Sequence, residues 1–125
     1  MPQSTLEQRV NSLVDHVRQG RIPEAMVEFY ADDVKMQENN KPPTAGLAAN
    51  VEREKHFLGY VKQWKQFNIR AVGIDHANGV ALIQSDFEFD AIDGKTIKYD
   101  QVSVQQWKDG KIVHEKFYYD SAAGK

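Results

Sequence analysis

Three dipeptides, Asn78-Gly79, Asp93-Gly94 and Asp109-Gly110, constrain this chain more than any other feature. Each joins a residue that tolerates a left-handed backbone to a glycine that favours one, the chemistry of a tight β-hairpin turn. Each also lies between β-rich runs. Phe67-Asn68-Ile69-Arg70-Ala71-Val72-Gly73-Ile74 precedes the first turn, and runs beginning at Val80, Lys95 and Lys111 follow the three in order. Four runs joined by three hairpins predict an antiparallel meander.

The first half reads as helices. Ser4-Thr5-Leu6-Glu7 has the capping-box pattern of a helix start, and Leu6, Val10, Leu13, Val14 and Val17 recur on one helical face. Gly20 suits the end of that helix. Pro23 suits the first turn of a second, with Ala25, Met26, Phe29 and Tyr30 facing inward. Phe29-Tyr30-Ala31-Asp32-Asp33-Val34-Lys35-Met36-Gln37-Glu38 then reads as a helix end, a two-acid turn and a short strand from Val34 that carries Glu38. Asn39 to Gly46 is expected as a loop over the cavity that the helices cover. A third helix is expected from Leu47 to about Gln66, with Val51, Phe57, Leu58, Val61 and Trp64 as apolar positions. Residues 1–125 make one domain of order α-α-β-α-β-β-β-β, an α+β fold. Ser121 to Lys125 reads as a loose tail.

Three helices cover one face of such a sheet. Ala81, Ile83, Ser85, Phe87, Phe89 and Ala91 make one face of a strand, and Gln84, Asp86, Glu88 and Asp90 the other. Val102 and Val104 alternate with Gln101, Ser103 and Gln105. Val113, Glu115, Phe117 and Tyr119 alternate with His114, Lys116 and Tyr118. Neither face is uniformly polar, so one is expected to line a mixed pocket and the other to be partly buried in a homodimer. The alternation alone leaves open which face is inward.

Several function classes are excluded or disfavoured at this stage. The chain has no cysteine, which removes disulfides, thiol catalysis and cysteine-bound zinc and fits a cytoplasmic protein. Net charge is −2 with no block of Lys or Arg, so nucleic acid is not an expected partner. No apolar run reaches membrane-spanning length, and Met1-Pro2-Gln3-Ser4 does not open a signal peptide. His16, His56, His76 and His114 are scattered, so no metal is expected. No phosphate-cradling or dinucleotide motif appears, so no cofactor is expected.

What remains is acid–base chemistry. Glu38 on a strand facing an apolar pocket is a candidate base or acid, because burial raises a carboxyl pKa toward neutrality. Its alternative is an exposed carboxylate at a strand end. Glu115 shares a face with Phe117 and Tyr119 and is a second candidate. Its alternative is a surface salt bridge with Lys116 or Arg70. Gln101, Ser103 and Gln105 form a polar ladder that would orient a substrate oxygen or bond across a dimer face. Tyr30, Tyr60, Trp64, Trp107 and Tyr119 could wall an apolar ligand or serve as plain core.

Order and motifs together resemble the nuclear-transport-factor-2-like superfamily, in particular its SnoaL-like branch of polyketide-cyclase and ketosteroid-isomerase relatives. The resemblance is carried by Tyr30-Ala31-Asp32-Asp33-Val34, by Trp107-Lys108-Asp109-Gly110-Lys111-Ile112-Val113 and by Phe117-Tyr118-Tyr119-Asp120. It implies a curved sheet wrapped as a cone around a pocket, an α+β roll closed by the helices, and commonly a homodimer. It also implies that Glu38 stands where ketosteroid isomerases place their base. Their tyrosine oxyanion donor falls on Val14 and their protonated aspartate on Ser103, and neither replacement serves as a strong donor. The expectation is therefore a cofactor-independent isomerase, cyclase or dehydratase acting on a small hydrophobic carbonyl compound. Glu38 and Glu115 would be catalytic, with Gln105, Ser103, Gln101, Tyr30, Trp64 and Tyr119 holding substrate. The alternatives are a binding module without catalysis and a dimerisation or delivery domain.

Overall fold

A computed structural model describes residues 5–120 of the chain. Helix α1 (Leu6–Arg18) starts at a capping box one residue later than the sequence pattern suggested. Thr5 Oγ1 accepts from the Gln8 amide, and the Gln8 side chain accepts from the Thr5 amide. Ser4 lies outside the described residues, as does the tail expected from Ser121. Gly20 adopts φ +74°, and beyond it the Arg21 amide bonds back to the His16 carbonyl, closing the helix end. Helix α2 (Ile22–Phe29) carries its proline in the first turn. Strand β1 (Tyr30–Glu38) follows with no intervening turn, so Tyr30 and the two aspartates are already in the sheet.

A two-residue strand β2 (Thr44–Ala45) precedes helix α3 (Leu47–Tyr60). Strands β3 (Val61–Asp75), β4 (Val80–Ala91), β5 (Thr96–Lys108) and β6 (Lys111–Tyr119) form the expected meander. The sheet is curved and unclosed, in the order β2-β1-β6-β5-β4-β3. Strand β1 lies parallel to β6, pairing Met36 with Glu115 and Glu38 with Phe117. That pairing brings the carboxylates of the first and last long strands to one wall.

Three local expectations are corrected. The third helix stops at Tyr60, because Val61 to Gln66 pairs with Glu88 to Ala91 of β4. Its Val61 and Trp64 side chains pack better on a pleated surface than around a helix, and tertiary pairing overrides their helical spacing. The segment Asn39 to Gly46 does not cover the cavity. It turns back, so that Met36 pairs with Thr44 and the Gly46 amide bonds to the Val34 carbonyl. In β6 a register shift opposite Gln106 and Trp107 puts Ile112, fully buried, on the core side in place of Val113.

The apolar interior has two parts. One joins α1 and α2 to the sheet through Val10, Leu13, Met26, Phe29, Val34, Trp107 and Ile112. The other is aromatic, with Phe87 and Phe89 of β4 packed against Phe57, Phe67 and Tyr99. The outer face of the sheet is divided. Arg70–Asp86 and Lys98–Glu88 ion pairs occupy one end, while Leu82 and Tyr118 are exposed toward the other.

Candidate functional site

A cavity of about 390 Å³ opens between the helices and the inner face of the sheet. Its wall is chemically divided. Leu13, Val14 and Val17 of α1 with Ile22 and Met26 of α2 make an aliphatic side, and Phe57, Trp64, Phe67, Phe87 and Tyr99 an aromatic one. Glu38, Arg53, Glu54, Glu115, Gln101, Ser103 and Gln105 supply polar groups. The apolar rings contact one another in edge and stacked geometries, with Phe67 and Phe87 stacked at 5.6 Å with nearly parallel planes.

The alternation of β4, β5 and β6 fixes the inward face that the sequence left open. Cross-strand pairing of Gln105 with Glu115, of Ser103 with Phe117 and of Gln101 with Tyr119 turns the polar ladder toward the cavity. Val102 and Val104 consequently face outward. All eight residues nominated from sequence line this one cavity: Glu38, Glu115, Gln105, Ser103, Gln101, Tyr30, Trp64 and Tyr119. Tyr60 and Trp107, the other wall candidates, do not. Tyr60 bonds Asp93 at 2.7 Å, and Trp107 lies in the core behind Gln105.

Glu115 is only 3% exposed, which rules out the surface salt bridge with Lys116 or Arg70. Tyr30 donates a short hydrogen bond to its Oε1, and Gln105 Nε2 donates to Oε2 at 2.8 Å. Trp107 Nε1 donates to Gln105 Oε1 at 3.1 Å, which fixes the amide so that its NH₂ faces Glu115. Burial pushes the Glu115 carboxyl above its usual range, and hydrogen bonds from Tyr30, Gln105 and Ser103 oppose that rise. Burial, then the neighbouring Glu115 charge, raise Tyr30 well above an ordinary phenol.

Glu38 holds a different environment. Its Oε2 pairs with Arg53 Nη1 at 2.7 Å, and its Oε1 accepts from Tyr119 at 2.9 Å. Burial first, and the bond to Glu38 second, push the Tyr119 phenol up to about 12. The expected base position is thus occupied by a carboxylate whose two oxygens are both engaged.

Sequence reasoning missed Arg53 and Glu54. Asn50, Arg53, Glu54 and Phe57 follow i, i+3, i+4, i+7 spacing and form the inward stripe of α3. Three polar residues in four made that stripe look solvated. Burial pushes the Glu54 carboxyl up to about 7, helped by the charges of Glu115 and Glu38 and opposed by Arg53. No side-chain hydrogen bond ties the Glu54 carboxyl to another described residue. Val14 and Ser103, at the positions the resemblance assigns to oxyanion donors, line the cavity but are a hydrocarbon and a single hydroxyl.

The sequence profile of the SnoaL-like domain family matches residues 10–115. No curated protein is a detectable relative. Among solved structures, a candidate SnoaL-like polyketide cyclase from Mesorhizobium loti superposes with a TM-score of 0.80 at 18% identity, over 93% of this chain and 100% of that one. A nuclear-transport-factor-2-like protein of unknown function from Burkholderia pseudomallei gives 0.78 at 13% identity, over 96% and 94%. A nuclear-transport-factor-2-like protein from Burkholderia thailandensis gives 0.77 at 18%, over 94% and 92%. At these identities the structural likeness fixes the fold and leaves the reaction to the residues of the site.

Proposed function

The chain belongs to the SnoaL-like domain family, and on that premise we propose that its cavity carries out cofactor-independent acid–base chemistry on a small, hydrophobic carbonyl compound. The reaction class is isomerisation, aldol-type cyclisation or dehydration. All three need a proton removed beside a carbonyl and returned elsewhere. The observation that carries the proposal is the presence of three carboxyl groups on the wall of one largely apolar cavity, two of them raised above their ordinary range. Environments that push carboxyl groups apart in pKa separate acid from base.

Within this function Glu115 and Tyr30 act as one proton-sharing unit at the sheet wall, oriented by Gln105. Ser103 and Gln101 continue that wall and meet the polar end of the substrate. Glu38 holds Arg53 and Tyr119 and relays charge through them. Trp64, 39% exposed, stands with Phe57 and Phe67 to receive the apolar end. The protein works as a homodimer joined through the outer sheet face, where Leu82 and Tyr118 are exposed.

Hydrogen exchange tests the function directly. In deuterium oxide the protein should accelerate loss of the activated hydrogens of 1-tetralone or 2-tetralone, and Glu115→Gln should slow that exchange about 10²-fold or more. A second class, a binding module without catalysis, is favoured by Val14 and Ser103 at the donor positions. It predicts that the ketones bind while their hydrogens exchange at the rate of buffer alone, and that result would remove the acid–base function.

A further inference from the structure

We propose that Arg53 and Glu54 form the proton-transfer pair of this cavity, an assignment that rests on the acid–base function proposed above. Glu54 removes a proton from the carbon beside a neutral carbonyl group. The unengaged edge of the Arg53 guanidinium receives the charge that develops on the carbonyl oxygen.

Hydrogen bonding separates the three carboxylates of the cavity. Glu38 is held at both oxygens by Arg53 and Tyr119. Glu115 is held at both by Tyr30 and Gln105. Glu54 lines the same wall with no side-chain hydrogen bond to a described residue, so its lone pairs are the ones open to a substrate C–H. Its environment fits the task, since burial pushes the carboxyl up to about 7. A base of that strength is matched to neutral pH.

Arg53 supplies what Val14 and Ser103 do not. Only its Nη1 is used, on Glu38, and its Nε is buried without a partner. Buried donors are rarely left unmade. The Nε–Nη2 edge therefore has hydrogens to give, and Glu38 fixes the guanidinium plane that presents them. Arg53 and Glu54 are consecutive on α3, and both line the cavity wall.

In the step itself the C–H bond breaks and its proton goes to a Glu54 oxygen. The C–H electron pair becomes the new C=C bond, and the carbonyl π pair moves onto oxygen beside Arg53. Where the substrate carries a further C=C next to the deprotonated carbon, the product is a dienolate, and return of the proton from Glu54 to its far carbon completes an isomerisation. Charge decides the substrate class. Three carboxylates face one guanidinium here, so a substrate bearing its own carboxylate would be repelled. A neutral carbonyl becomes negative only as Glu54 becomes neutral.

The titratable and charged groups that act on Glu54 are Glu115 of β6, Glu38 and Tyr30 of β1, and Arg53 of its own helix. The test is deuterium exchange of 1-tetralone and 2-tetralone as a function of pH. Folding of each variant is established beforehand by circular dichroism and thermal unfolding. The wild-type rate should fall as pH is lowered through about 7, where Glu54 takes up its proton. Glu54→Gln should lower kcat/KM about 10²–10⁴-fold. Arg53→Gln should lower it about 10²–10³-fold, chiefly in kcat. Glu54→Asp keeps a carboxylate and should retain measurable exchange with a displaced pH profile, which serves if the glutamine variant does not fold. Exchange that survives in Glu54→Gln but is lost in Glu38→Gln or Glu115→Gln would overturn the pair and leave the acid–base function standing. No acceleration by the wild-type protein would overturn both.

Discussion

Glu54 and Glu115 enter the same cavity from different elements, one without a hydrogen-bonding partner among the described residues and one with three. Their shared feature is a carboxyl raised by burial, and this has a consequence for stability. The folded protein holds a proton on Glu54 up to about pH 7, whereas an unfolded chain gives it up near the ordinary value of 4.5. Stability from this group is complete below the unfolded value and is lost as pH rises through the folded one. Urea unfolding midpoints should therefore fall between about pH 4.5 and pH 7, and Glu54→Gln should flatten part of that fall. An unchanged slope in the variant would mean Glu54 titrates as an exposed acid. Tyr30→Phe tests the other group. It removes one donor from the buried Glu115 carboxylate, and the loss should reach about 1–3 kcal/mol in urea unfolding. The nomination of Glu115 was legible from sequence because strand alternation has a fixed period, so placing Phe117 and Tyr119 inward carries Glu115 with them. Glu54 was not legible, since a helix face containing Asn50, Arg53 and Glu54 has the composition of a wet one.

Helix α3 and strand β1 are joined at a small polar lock. Asn50, buried in the first turn of α3, donates through Nδ2 to the carbonyls of Gly46 at 2.8 Å and Thr44 at 3.0 Å, with Val34 at 3.4 Å. It ties the β1–β2 hairpin to the helix that carries Arg53 and Glu54. Asn50→Leu should cost about 1–3 kcal/mol, because it removes the buried side-chain donor that these carbonyls share, and should speed amide exchange at Thr44 to Gly46. Unchanged exchange there would mean the lock is redundant. At this scale the three hairpin turns were the most legible feature, since Asp109-Gly110 has positive φ at both residues and needs no tertiary context. The helix-to-strand switch at Val61 was illegible for the opposite reason. Val61 and Trp64 sit at helical spacing after Phe57, and only the presence of β4 as a pairing partner decides between the two periods. The parallel seam between β1 and β6 is likewise invisible locally, because its two strands are far apart in sequence.

The whole molecule presents one enclosed face and one open face of a single curved sheet. The inner face is spent on the cavity. On the outer face ion pairs such as Arg70–Asp86 are solvent-screened and contribute little to folding, while Leu82 and Tyr118 remain uncovered. Burial of that patch against a second copy predicts a dimer in sedimentation velocity, converted to a monomer by Leu82→Glu. A monomeric wild-type protein would contradict it. The fold class was legible in the order of the elements, whereas the reaction is not a property of the fold and depends on which carboxyl group is free to accept a proton. The most direct measurement is an NMR titration of the side-chain carboxyl carbons, assigned with Glu38→Gln, Glu54→Gln and Glu115→Gln. Glu54 is expected to titrate near 7 and Glu115 above the ordinary carboxyl value. Ordinary titration of both near 4.5 would contradict a cavity poised for proton transfer.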